Sequence, residues 1–187
     1  IKLYKLKKRL YMNHGIIDTH IHVWNFDKAV YDWLKNDTSI LNRTYHIEEI
    51  EAERKAVGIT GGVLVQASNN VQDTDWMLEV ADKTAWVNGV VGWLPLMQPG
   101  ETERLCNDVY QKNNYYKGVR HLIHDEPNAD WLLQEPVIES LKILAANNLT
   151  FDVVGVFLMV VACFKRTVLM YGFSRWLLIV LISTGES

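Results

Sequence analysis

Two histidines separated by one residue, His20 and His22, are the strongest candidates for chemistry in this sequence. They end an apolar stretch that begins at Ile16. Side chains alternate along a strand, so both rings are expected on one side of it. Two such imidazoles can share one divalent metal ion at about 2.0 to 2.1 Å, and Asp18 can orient them. The alternative is a pair of surface or hydrogen-bonded histidines at a strand end.

A second candidate group begins at Arg120 and His121, in another apolar segment. Neighbouring residues of a regular strand point to opposite sides. Both side chains can therefore face one site only if the strand contains a bulge or a turn begins at His121. Arg120 is predicted to bind a substrate carboxylate or carbonyl. The alternative is a salt bridge from Arg120 to Asp18, Asp125 or Glu126.

Five short apolar runs alternate with amphipathic segments, which predicts β/α units and a parallel sheet. The predicted strands are Gly15 to Trp24, Gly61 to Ser68, Val87 to Pro95, Lys117 to His124 and Leu149 to Gly155. The predicted helices are Ile47 to Gly58, a helix capped by Asp73 or Thr74 and running through Trp86, Glu101 to Asn113, and Pro136 to Asn147. This spacing is typical of β/α barrels, although doubly wound sheets share it.

Length and composition favour one globular domain of 187 residues in a reducing, cytoplasmic compartment, since the two cysteines cannot form a disulfide framework. Residues 1–11 carry five basic side chains and no acid, and we interpret them as an extension before Met12. No apolar segment of signal-peptide length follows them. Residues 12–155 are acidic, which argues against a nucleic-acid partner. We also expect no membrane partner.

The last segment, residues 156–187, has a different composition, with 21 apolar residues among 32. The longest uncharged run near it, Val153 to Phe164, is 12 residues, too short to span a bilayer. The segment could form an apolar helix, or a hairpin of strands at Val156 to Cys163 and Trp176 to Ile182. Our hypothesis is a frame-shifted or truncated end.

Five motifs occur in order: Ile-Ile-Asp-Thr-His-Ile-His, Val-Leu-Val-Gln-Ala, Val-Val-Gly-Trp, Gly-Val-Arg-His and Leu-Thr-Phe-Asp. Together they resemble the amidohydrolase-related (amidohydrolase 2) family. The resemblance is to its sugar-acid lactonase branch, which includes L-fuconolactone and L-rhamnonolactone hydrolases and pyrone-dicarboxylate lactonase. It covers residues 12–155. It implies an incomplete TIM-like (β/α)8 barrel of about five β/α units, with the active site at the carboxyl ends of the strands.

The resemblance also implies roles for individual residues. His20 and His22 would be the metal or substrate histidines, Gln66 would line the pocket, and Arg120 and His121 would hold substrate. Zinc is the first candidate metal, although a metal-independent mechanism stays open.

Four more residues have two interpretations each. Asp152 would be a further pocket carboxylate or a strand-end cap, and His124 is interpreted as a loop histidine. Trp24, Trp93 and Trp131 could stack on a sugar or lactone ring, the alternative being core packing.

The family pattern also includes a histidine on a later strand and an aspartate near the eighth strand. The last histidine here is His124 and the last aspartate is Asp152. We therefore expect that residues 156–187 do not supply strands six to eight in the family register, and that the catalytic set is incomplete.

The predicted function is hydrolysis of a lactone of a sugar acid or dicarboxylate by an activated water. The alternatives are a catalytically inactive remnant and a metal-dependent decarboxylase of the same superfamily. We expect no appreciable lactonase activity from the chain as it stands. Self-association through open sheet edges is a further expectation.

Overall fold

A parallel β-sheet runs through the part of the chain described by this computed structural model, residues 15–156 and 176–181. Its strands stand in sequence order, and each pairs in parallel with the next. The strands are β1 (Ile16–Ile21), β2 (Ile59–Val65), β3 (Val87–Gly92), β4 (Tyr116–Leu122), β5 (Thr150–Val156) and β6 (Trp176–Leu181). Five strands lie where the sequence predicted them, and the fold is an incomplete TIM-like α/β barrel.

Helices connect the first five strands and cover one face of the sheet. They are α1 (Glu51–Val57), α2 (Val71–Lys83), α3 (Pro99–Arg104), which continues as a π-helical segment (Leu105–Tyr110), and α4 (Glu135–Ala146). Short 3-10 turns cover Asp32–Leu34, Ile47–Ile50, Ile123–Asp125 and Trp131–Leu133. Gly58 ends α1 with φ of 80°, the left-handed conformation that glycine adopts without strain.

The main hydrophobic core lies between the sheet and these helices. Its fully buried members include Leu64, Met77, Val90, Val119 and Val153. In β4, Val119 lies on this side and its neighbour Arg120 on the other, as period-two side-chain placement requires. The opposite face is consequently free to carry polar side chains.

That opposite face is concave. His20 Nε2, on β1, lies 3.3 Å from Arg120 Nη1, on β4, although β2 and β3 stand between these strands. In a flat sheet, three strand spacings would separate them by roughly 14 Å. The sheet therefore curls into a half-barrel.

The second helix differs from the sequence prediction at both ends. The helix expected to start at Asp73 or Thr74 begins at Val71, because Asn70 is its cap and accepts a hydrogen bond from the Asp73 amide. It ends at Lys83, not at Trp86.

The final segment also differs in part. The hairpin interpretation is wrong for Trp176–Leu181, because this strand runs parallel to β5 and extends the sheet. Residues 157–175 and 182–187 lie outside the described part, so the apolar helix and the family register stay predictions.

Within residues 15–156 and 176–181, no helix has the length and apolar character needed to cross a membrane. The cytoplasmic location remains a prediction.

Candidate active site

The side chains of His20 and His22 face each other at the carboxyl end of β1, with their Nε2 atoms 3.1 Å apart. The rings are nearly perpendicular, at 88°. His22 Nδ1 donates to the carbonyl of Val65, at 2.8 Å, which leaves the His22 Nε2 lone pair open. Arginine only donates, so His20 Nε2 accepts from Arg120 and the His20 proton resides on Nδ1.

Both histidines are held neutral. Burial lowers the pKa of His22 to about 4, with a smaller contribution from the charge of Arg120; the Val65 hydrogen bond acts in the opposite direction. Burial and then Arg120 also lower the pKa of His20, against the charge of Asp18. Near neutral pH, two unprotonated nitrogens therefore face one point.

The spacing of this pair matches two ligands of a zinc ion, and binding an ion would require His20 Nε2 to give up its hydrogen bond from Arg120. Two tetrahedral zinc ligands at about 2.0 to 2.1 Å lie roughly 3.3 Å apart, close to the observed separation of the Nε2 atoms. Asp18 supports the strand and does not hold a ring, because its carboxylate accepts from the backbone amide of His20 at 3.0 Å. Among the described residues, no group of three or more potential metal ligands occurs. The described part thus offers two protein ligands.

Arg120 is buried, with 7% of its surface exposed, and points to the concave face. Burial lowers its pKa, while the charges of Asp152 and Asp73 act in the opposite direction. No salt bridge links it to a carboxylate within residues 15–154, so the alternative of a salt bridge to Asp18, Asp125 or Glu126 is not observed there. The guanidinium is available to a ligand.

Asp152 pairs in register with Arg120 across the β4 and β5 strands. It is 3% exposed, and burial raises its pKa to about 6, against the charge of Arg120. A carboxyl group with this pKa exchanges its proton near neutral pH. Asp152 does not line the cavity that opens beside Arg120.

His121 lies on the other face of β4. The β4–β5 register is unbroken from Gly118 to Leu122, so the strand has no bulge there that would bring His121 beside Arg120. The His121 ring stacks on Trp131 at 4.1 Å. Its Nδ1 accepts from Trp93 Nε1 at 3.1 Å and its Nε2 donates to Glu126 at 2.6 Å. Both ring nitrogens are satisfied. Trp131 is a core residue, 2% exposed, whereas Trp93 is half-buried beside the His121 ring.

A cavity of about 470 Å³ opens at the carboxyl ends of β1, β2 and β4. It is lined by His22, Trp24, Trp33, Leu41, Gln66, Ala67, Arg120, Leu122, His124 and Asp125. Four predicted site residues, His22, Trp24, Gln66 and Arg120, come together here. His124 lines the cavity also, from the 3-10 turn after β4. A larger cavity of about 800 Å³ adjoins it and shares Trp33, Leu122 and Asp125.

Sequence reasoning did not single out Trp33 or Asn69. Trp33 forms part of the wall between the cavities, with its Nε1 donating to the carbonyl of Ala67 at 2.9 Å. No periodicity marks this position, because it lies in a long loop. Asn69 lies four residues after the end of β2, and the polar run Ser68-Asn69-Asn70 beyond a strand's carboxyl end was a signal that could have found it.

The loop between β1 and α1 is held by a buried carboxylate. Asp73 accepts from Tyr31 Oη at 2.8 Å and from the amides of Ala67 and Ser68 at 2.7 and 3.2 Å. Burial raises its pKa to about 6 although these hydrogen bonds act in the opposite direction. Asn70 Nδ2 adds a bond to the carbonyl of Val30 at 2.8 Å. The loop carrying Trp33 is therefore tied to the end of β2.

Known proteins resemble this chain over the same region. L-fucono-1,5-lactonase from Burkholderia ambifaria is 28% identical over 140 residues, which are 73% of this chain and 46% of the relative. The chain spans about half the length of the curated relatives it matches. No family model matches the chain. The resemblance that the motifs predicted, to lactonases of the amidohydrolase type, is confirmed for the N-terminal part.

Solved structures share the fold. An amidohydrolase from Burkholderia multivorans was solved with bound zinc (TM-score 0.73, 24% identity, 89% of this chain and 57% of that chain) and with bound HEPES (TM-score 0.72, 26% identity, 82% and 54%). A probable 2-pyrone-4,6-dicarboxylic acid hydrolase from Acinetobacter baumannii aligns with a TM-score of 0.63 at 17% identity, covering 89% of this chain and 58% of that chain.

Proposed function

We propose that this site binds a lactone and polarises its carbonyl for attack by water, as part of a lactone hydrolase. The supporting observation is the convergence of His20, His22 and Arg120 on the concave face. The similarity to L-fucono-1,5-lactonase supports the reaction class. In the reaction, a water oxygen bonds to the carbonyl carbon, the ring C–O bond breaks, and the ring oxygen leaves as a hydroxyl.

Arg120 is the group that stabilises developing charge on the carbonyl oxygen. It is buried and without a carboxylate ion pair among residues 15–154, so its charge is weakly screened inside the cavity. Trp24 and Trp33 provide apolar walls against which a ring can pack. His20 and His22 would hold a divalent metal ion, which would supply Lewis-acid polarisation of the carbonyl.

The described cavity residues provide no clear general base to take the proton from the attacking water. Asp152 has a suitable pKa of about 6 but does not line the cavity, and the imidazoles of His20 and His22 would be occupied by the ion. We therefore expect ligand and zinc binding with little turnover from the 187-residue chain. Loss of general-base help lowers rates by about 10²- to 10⁴-fold.

The test measures binding and turnover separately. Isothermal titration of the metal-free chain is expected to show one zinc ion bound, and a pH-indicator assay on a panel of aldonolactones should show hydrolysis close to the spontaneous rate. Arg120→Met should abolish any zinc-dependent excess over that rate. A chain that binds neither zinc nor a lactone analogue would contradict the proposal. Release of CO₂ from a carboxylate substrate would favour the decarboxylase alternative.

A further inference from the structure

In the described sheet, strand β4 has a neighbouring strand on each side as far as Val119. Its pairing with β3 ends there, whereas its pairing with β5 continues without a break from Gly118 to Leu122. The residue that follows β3 is bound elsewhere, because Thr74 Oγ1 accepts from the Trp93 amide at 2.8 Å and donates to the Trp93 carbonyl at 3.4 Å. Arg120, the residue after Val119, therefore lies on a part of β4 that β3 does not support.

The side-chain amides of Gln66 and Asn69 bind the backbone of β4 at this point. Gln66 Nε2 donates to the carbonyl of Arg120 at 3.3 Å, and Asn69 Oδ1 accepts from the amide of Leu122 at 3.2 Å. A bond from Gln66 Nε2 to Asn69 Oδ1, at 3.0 Å, joins the two side chains. In a parallel ladder, one residue of the neighbouring strand donates to the carbonyl of residue i and accepts from the amide of residue i+2. Gln66 and Asn69, which we call the amide bridge, together make the same two bonds.

The amide bridge has one arrangement, because backbone groups fix the roles of its atoms. The Leu122 amide is a donor, so the Asn69 atom that it contacts is the oxygen. The Arg120 carbonyl is an acceptor, so the Gln66 atom that it contacts is the nitrogen. Gln66 is 0% exposed, and its own backbone amide donates to the carbonyl of Val91, on β3, at 2.8 Å. The bridge therefore fastens β4 to β3 by way of a buried side chain.

The position of the Arg120 guanidinium depends on this backbone segment. Its Nη1 lies 3.3 Å from His20 Nε2, and the side chain lines the 470 Å³ cavity. Among residues 15–154, no carboxylate forms a salt bridge with the guanidinium that could hold it in place. A displacement of a polarising group by about 1 Å can lower a reaction rate by about 100-fold.

We infer that Gln66 and Asn69 are positioning residues, which hold the β4 backbone so that Arg120 points into the cavity. What Arg120 does to a ligand rests on the proposed function. The amide bridge adds how the place of Arg120 is fixed beyond the end of β3. Gln66 and Asn69 act through Arg120 and need no contact with the ligand.

The first test observes Arg120 directly, by nuclear magnetic resonance of the ¹⁵N-labelled chain in EDTA. The Nε–H signal of Arg120 is assigned by its loss in Arg120→Lys. Because Nε is buried, its proton should exchange slowly with water. Gln66→Met keeps the length of the side chain and removes the donor, and it should speed this exchange by about tenfold or more. Gln111→Met, the same change at an exposed hydrogen-bonded glutamine, should leave the exchange rate unaltered.

Two changes at Asn69 separate positioning from general stability. Asn69→Asp keeps an acceptor oxygen for the Leu122 amide and for Gln66 Nε2, so the exchange rate should stay within about twofold of the wild type. Asn69→Leu has a similar size and no acceptor, so it should behave like Gln66→Met. Thermal melts establish that each variant is folded. Equal exchange in Asn69→Asp and Asn69→Leu would overturn the inference.

The second test measures ligand binding in the same metal-free chain. The probe is δ-valerolactam, a hydrolysis-resistant lactone analogue, and chemical-shift changes follow even millimolar affinities. Arg120→Met should raise its Kd by about tenfold, and Gln66→Met by about threefold. In the Arg120→Met background, Gln66→Met should have no further effect, because the amide bridge acts through Arg120. An effect that persists in this background would show direct contact with the ligand and would overturn the positioning role.

The two tests distinguish failure of the inference from failure of the proposed function. If Arg120→Met weakens lactam binding while folded Gln66→Met changes neither the Kd nor the exchange rate, the inference is wrong and the proposed function stands. If the wild type does not bind the lactam, or Arg120→Met binds it equally well, the proposed function is wrong. The exchange rate of the Arg120 proton then still decides whether the amide bridge holds Arg120.

Discussion

The histidines on the two faces of the sheet differ in the hydrogen bonding of their ring nitrogens. On the concave face, His20 and His22 turn unprotonated nitrogens toward each other. On the helix-covered face, His121 has both nitrogens hydrogen-bonded and its ring stacked on Trp131. Burial lowers the pKa of His20, His22 and His121 alike, so burial does not separate them. The difference is that His22 Nε2 receives no N–H donor among the described residues, whereas both ring nitrogens of His121 are hydrogen-bonded, which makes His22 the candidate ligand.

The strongest test of the helix-covered face is removal of Trp131. This side chain is 2% exposed, and Trp131→Ala should lower the free energy of unfolding by about 3 to 5 kcal/mol, because it removes a large buried ring and the stack on His121. Urea denaturation provides the measurement. Trp33→Ala on the cavity side, where the ring is 44% exposed, should cost about 1 kcal/mol. Equal losses would remove the distinction between the faces.

Acid titration of stability tests the neutral state of His22. The unfolded residue protonates near pH 6.5 and the folded one near 4, so the unfolded state binds more protons between these values. Stability is therefore lost as the pH falls from 6.5 to about 4, by up to about 3 kcal/mol. His22→Gln should lack this contribution. The free energy of unfolding of both proteins is measured by urea denaturation in EDTA at pH 7 and pH 4. An equal change with pH in wild type and His22→Gln would contradict a neutral, buried His22.

Zinc affinity separates the histidines by function. His22→Gln should weaken zinc binding by at least about 100-fold, since loss of a direct ligand exceeds the 10- to 100-fold typical of supporting residues. His121→Gln is the matched control and should leave the zinc Kd unchanged, because its ring lies on the other face. Competition with a chromogenic chelator gives both constants. A similar loss of zinc affinity in both variants would show that the two faces do not differ in zinc binding.

The smallest expected effect concerns the support of the histidine pair. Asp18→Ala removes one hydrogen bond to the His20 amide, at an exposed position. Unfolding free energy should fall by about 0.5 to 1 kcal/mol. The zinc Kd should rise by less than about threefold, since both rings keep their other contacts. Calorimetry and the chelator assay measure these changes, and loss of zinc binding would show that Asp18 acts on the rings directly.

Residue patterns predicted the sheet well because its strands depend on local composition. Apolar runs bounded by polar residues located five strands, and strand alternation correctly separated Arg120 from His121. Local sequence patterns do not show which residues distant in the chain form hydrogen bonds with each other. The bond from Gln66 to the Arg120 carbonyl joins residues 54 positions apart, and that from Trp93 to His121 joins residues 28 apart.

Helix starts were predicted less well for a related reason. Asp73 and Asn70 are both good capping residues by type, and the choice between them depends on where each side chain finds its partners. Asp73 turns away from a capping role to bind Tyr31 and two amides from the end of β2. Composition alone does not contain that information.

The same bonds to Asp73 have a consequence for the thermodynamics of ligand binding. A loop of this length, left free, would lose conformational entropy when it closed on a ligand. Here Tyr31 and Ala67 are fastened to a buried carboxylate, and the Ala67 carbonyl in turn holds Trp33 in place. The conformational entropy of the loop that carries Trp33 is therefore lost when the protein folds. Ligand binding does not have to order this loop again, so the cavity is preorganised.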